Sequence, residues 1–174
     1  MKKVELALRY YRHRFRNRRH YGQLSWLMQA FAAWARVREW PAAADFTFEV
    51  AELALEHQHA DGSFGSPLQP DGPGYTSTLF LEGLASAAGL ARRLGDDRAA
   101  RLEAAVERGI SFLARLTLRE EHRTLLPNPE WAIGGVRHNE VRDEVRIDFV
   151  QHSLAVLLEV LEVAAATAPE EASA

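Results

Sequence analysis

At 174 residues, with 47% hydrophobic and 26% charged residues, the chain is long enough for a sizeable buried core and too apolar to be a disordered one. It has no Cys, which excludes disulfides, thiolate metal sites and a Cys nucleophile. The net charge of −3 is unevenly spread: residues 1–20 carry eight Lys and Arg against Glu5, a net of +7, so the remainder sums to −10.

The first expected helix runs from Lys3 to Phe15, with Val4, Leu8, Tyr11 and Phe15 at helical spacing. Its basic residues invite a nucleic-acid or acidic-partner reading. No Gly-rich RNA motif or helix-turn-helix signature accompanies them, so we read a solvated face docking on the acidic remainder, with nucleic acid not among the expected partners. No apolar signal core or bilayer-length run is present, and a cytoplasmic chain without a membrane span is expected.

The second helix is expected over Gln23–Glu39, with Leu24, Leu27, Met28, Phe31, Trp34 and Ala35 on one face. Pro41 marks the break before a third, Ala42–His59. A loop rich in Gly and Pro follows, Ala60–Tyr75, and loops of that length are usually functional or mobile. The fourth helix begins at Thr76, with Thr76 or Ser77 as the expected cap. It is apolar nearly all round, which predicts burial among other helices. Gly95–Asp97 ends it, with Asp96 or Asp97 capping an amphipathic fifth helix, Arg98–Arg119. A second long loop, Glu120–Arg146, precedes a sixth helix, Ile147–Ala165, expected to bury Val150, Leu154, Leu157, Leu158 and Leu161. The expected fold is thus all-α, about six helices in hairpins, one domain over 1–165 with a disordered tail at 166–174. If helices alternate in direction, both long loops lie at the same end, where sites usually sit.

Gln58-His59-Ala60-Asp61-Gly62-Ser63-Phe64-Gly65 resembles the Gln…Asp-Gly-Ser-Phe/Trp-Gly turn of the α/α-toroid superfamily, which includes terpenoid cyclases, protein prenyltransferases and complement thioester domains. Gly74-Tyr75-Thr76-Ser77-Thr78 is similar to the start of an inner helix in that superfamily. The resemblance covers about Ala42 to Arg119 and implies helical hairpins of a toroid, with such turns bracing helices. It does not extend to a named activity. The Asp-rich acid motif of cyclases is absent, as are the Cys ligands of prenyltransferase and lanthionine-cyclase-like zinc sites and the thioester Cys. About three hairpins make an incomplete ring, whose open side would expose apolar helices. The resemblance therefore implies a dimer or a fragment of a longer protein.

Several residues could carry chemistry. Asp148 and His152, four apart on one helix, could share a proton or a metal, with His138, His57 or Asp61 as a third ligand; alternatively Asp148 serves the helix dipole and His152 is a satisfied core residue. Glu82, on the apolar helix, is either paired or a perturbed acid, and with Asp61 or Asp148 could form a carboxylate pair for sugar hydrolysis. Trp131 and Arg137, beside Gly134-Gly135, suit stacking on a sugar or binding an anion, unless Trp131 plugs the end of the helices. Asp61, in an Asp-Gly turn, and Tyr75 complete the set.

The leading expectation is a ligand-binding toroid segment of carbohydrate-active type, lined by Asp61, Tyr75, Trp131, Arg137, Asp148 and His152. In an enzymatic version Asp148 or Glu82 is the acid or base, oriented by His152. The alternatives are a structural or interaction module, in which a second copy or a partner half-domain covers the open face, and an isoprenoid-binding toroid. No cofactor and no resident metal are expected; the expected partners are a small-molecule or sugar ligand and a second copy.

Overall fold

The computed structural model describes residues 2–18, 21–65 and 72–167; the expected tail lies, from residue 168, outside the described residues. The fold is all-α. Its helices are α1 (Lys2–Asn17), α2 (Leu24–Arg38), α3 (Pro41–Glu56), α4 (Thr76–Leu94), α5 (Ala99–Leu116), the single turn α6 (Pro129–Ala132) and α7 (Ile147–Thr167). Short 3-10 turns at Tyr21–Gln23 and Glu120–Leu125 complete the described helical segments.

Local chemistry sets the boundaries. Pro41 occupies the first turn of α3, where a missing N–H costs nothing. Gly95 closes α4 in the left-handed region, with the Asp96 amide donating back to the Ala91 carbonyl at 2.9 Å. The expected caps of α4 are corrected. Neither Thr76 nor Ser77 caps the helix. Ser77 Oγ instead accepts from the Phe64 amide at 2.9 Å, and Thr76 Oγ1 is buried without a partner. The fold thus uses Ser77 to fasten the preceding turn.

At the start of α5, Asp96 Oδ1 accepts from the Arg98 amide at 3.0 Å, and its carboxylate is gripped by the Arg98 guanidinium at 2.6 and 2.7 Å. The guanidinium first, and the amide second, hold the Asp96 pKa down to about 2 from 3.8. A carboxylate lowered on folding contributes stability above its unfolded pKa and loses it as pH falls toward the folded value. Asp96→Asn should therefore cost about 1 kcal/mol at neutral pH, allowing for solvent screening. In urea titrations its gap from wild type should narrow as pH drops from 5 toward 2; a gap independent of pH would refute the assignment.

Helix α4 is the centre, packing against α2, α3, α5 and α7. Its small residues permit close approach: Gly83 sits against Ser25 and Met28 of α2, and Leu81 sits against Gly109 of α5. The expected burial of this helix holds, with Phe80, Leu81, Leu84, Ala87, Leu90 and Ala91 in the core. Phe46 of α3 meets Phe15 of α1 and Phe31 of α2 edge-on, and Glu49 of α3 binds Arg12 and Arg16 of α1.

The contacts give the helix directions. Early α4 meets early α2 at Gly83–Ser25 and early α7 at Glu82–His152; late α4 meets late α7 at Gly89–Val163. Late α2 reaches late α7 through Arg36–Glu159. So α2, α4 and α7 run the same way. By contrast α5 runs against α4, joining it early at its own late Gly109 and late at its own early Glu103, which Arg92 binds.

Helix α7 departs from expectation. It meets α4 through His152 and Val163 and puts Val156 into the main core, with Phe149 packed on Tyr75 and the end of α5, while Leu154, Leu157, Leu158 and Leu161, expected to be buried, are 54%, 41%, 50% and 63% exposed. The helix is apolar on both sides, and among the described residues no further helix covers its outer side.

Candidate functional site

The Asp-Gly turn is built from its own side chains. Asp61 Oδ1 accepts from the Ser63 amide at 3.0 Å and the Ser63 hydroxyl at 2.7 Å. Gly62, at φ +89°, lies where a Cβ would overlap the Arg108 carbonyl of α5. Gln58 Nε2 donates to the Ala105 carbonyl at 2.8 Å, and Arg108 donates back to Gln58 Oε1 at 2.8 Å. Phe64, fully buried, packs on Phe80. These residues brace the end of α3 to the middle of α5. Burial acts to raise the Asp61 pKa, but the Ser63 hydroxyl and amide, with Arg115 and His59, hold it below the ordinary carboxylate value.

The two loops meet at the N-terminal ends of α4 and α7. The Tyr75 amide donates to the His138 carbonyl at 2.8 Å, beside a bridge between Gly74 and Asn139. Tyr75 stacks on Phe149 with ring centroids 3.9 Å apart, and His138 stands edge-on to both. The loop after α5 is not free chain. Thr117 pairs with Val136 and Arg137 with Val145, and the Arg137 amide donates to the Leu116 carbonyl at 3.0 Å.

The candidate residues do not converge on one site. Glu82 and His152 come together: His152 Nδ1 lies 2.8 Å from Glu82 Oε2, both side chains are mostly buried, and among the described residues each bonds only the other. A carboxylate on Nδ1 directs the imidazole proton to that nitrogen, leaving Nε2 able to accept or pass a proton. Asp148 instead pairs with Arg146 at 3.0 Å at the start of α7. Asp61 joins Arg115 at 3.0 Å, which also holds Glu140. Arg137 lies inward against the Arg115 carbonyl and Asp143, with a buried Nε that has no partner. Trp131, on α6, is 89% exposed and so does not plug the helix ends. Among the described residues no group of three His, Asp or Glu could hold a metal ion.

No protein-family model, no curated protein and no solved structure matches the chain. No helix among the described residues is long and apolar enough to cross a membrane.

Sequence reasoning had His152 orient either Asp148 or Glu82, and in the structure it meets Glu82. The signal was there: each is an ionisable group on an otherwise apolar helix, and such groups tend to find one another. It missed Ser77 as the fastener of the turn and Asn139, whose side chain accepts from the amides of Val141 and Arg142.

Proposed function

We propose that the chain is an interaction module, a partial α/α-toroid whose uncovered helix is received by a second copy. The observation that carries this reading is the outer side of α7. Ile147, Leu154, Leu157 and Leu161 are exposed at heptad-like spacing on a helix whose other side is already packed. Covering the exposed part of each leucine contributes about 1 kcal/mol toward association. Light scattering over a concentration series should show a dimer, and Leu157→Glu with Leu161→Glu should give a monomer of unchanged helix content. Wild type that stays monomeric at every concentration would overturn the reading.

A second reading, the ligand-binding toroid segment, is favoured by the exposed Trp131 and the Glu82–His152 pair. In it the indole stacks on a sugar and His152, positioned by Glu82, handles a proton. Soluble oligosaccharides should then shift the indole emission of wild type and not of Trp131→Ala; no shift with any of them would remove this reading. The isoprenoid version would use the apolar hollow between α1 and α2, which Trp26, Phe31 and Trp34 help to line.

A further inference from the structure

Resting on the self-association reading, we infer that the second copy docks head to tail: α7 of one copy lies on the α1–α2 edge of the other, and the reciprocal contact closes the pair into a ring. The row α2–α4–α7 has two open edges. One is the leucine side of α7. The other is formed by α1 and α2, where Leu6, Trp26 and Val37 are more than half exposed. A hollow of about 380 Å³ lies between those helices, lined by Val4, Tyr11, Trp26, Ala30 and Trp34 among others.

Charge selects between the possible pairings. From 147 to 167 the chain carries Asp148, Glu159 and Glu162 and no Lys or Arg; Asp148 is held by Arg146 and Glu159 by Arg36, so Glu162 is the acid offered to a second copy. Helix α1 exposes Lys2, Lys3 and Arg9, which have no ion pair among the described residues. Packing α7 on α7 offers Glu162 no cation, whereas packing α7 on the α1–α2 edge brings it to the exposed bases of α1. Lys3 shares its hollow with Trp34, late in α2, the same end of the molecule as Glu162 in late α7.

Direction and curvature agree with this. On α4, α2 meets Gly83 and α7 meets Glu82, positions about 100° apart around the helix axis. The row of same-direction helices therefore bends sharply and closes after few members. A head-to-tail pair keeps all six of those helices running the same way about one two-fold axis, and its two equivalent contacts leave neither edge open.

The absence of Cys makes the test direct, because introduced thiols report only the chosen positions. Leu154→Cys and Ala30→Cys chains are mixed, allowed to exchange subunits and treated with a short bismaleimide. The expected result is a covalent dimer in the mixture and none from either variant alone. Cross-linking of Leu154→Cys by itself would show α7 facing α7 and overturn the head-to-tail arrangement, leaving self-association intact. A dimer by mass that yields no cross-link in the mixture would also overturn it. Monomeric wild type would remove both. Should the thiol variants misfold, Glu162→Lys should weaken the dimer several-fold and Lys3→Glu added to it should restore affinity; no restoration counts against the arrangement.

Discussion

Gly62→Ala is expected to destabilise the fold by at least about 3 kcal/mol in urea or thermal unfolding. Two costs add. The residue has φ +89°, a region that L side chains rarely adopt, and its Cβ would enter the Arg108 carbonyl, a backbone group that cannot swing aside. Relief requires moving the turn off α5, which also strains the Gln58 bond to Ala105 and the Arg108 bond to Gln58. Gly72 provides the control. Its φ is +79° but nothing lies within 4 Å of a Cβ there, so Gly72→Ala should cost only about 1 kcal/mol. Equal losses at the two positions would show that backbone conformation alone, without the α5 contact, sets the cost.

Breaking the Glu82–His152 pair is the other large effect. Glu82→Ala should cost about 2–3 kcal/mol, because it strands a polar imidazole in a mostly buried place. His152→Ala strands the carboxylate and should cost a similar amount. Combining the two, Glu82→Ala with His152→Ala, should lose much less than the two single losses summed, since no polar group is then left alone. Additive losses in a double-mutant cycle would show that the two side chains do not interact energetically.

The elements whose rules are local were legible in the sequence. Pro41 starts α3, Gly95 stops α4, and the apolar surround of Leu79–Leu90 predicts the buried helix that the structure places at the centre. The Asp-Gly turn was legible too, because the bonds of Asp61 to Ser63 close within three residues. What depends on distant partners was not. His152 has Asp148 four residues away, yet its partner is Glu82, 70 residues away, chosen by the packing of α7 on α4. Leu154 and Leu161 look like core in a linear reading, since periodicity shows that a face is apolar without showing what covers it. The ends of α3 and α5 fell short of expectation for a related reason. His57 and Gln58 turn into the brace, and Thr117 leaves α5 to pair with Val136, 19 residues further on.

The meeting of the two loops has a kinetic consequence. The bond from the Tyr75 amide to the His138 carbonyl joins segments that lie on either side of α4 and α5 in the chain, and the Tyr75, His138 and Phe149 rings close over it. Neither Tyr75 nor His138 can move away alone without breaking that shared contact. The Tyr75 amide and the His138 amide, which donates to Glu144, should therefore exchange with solvent hydrogen at a common rate and free energy.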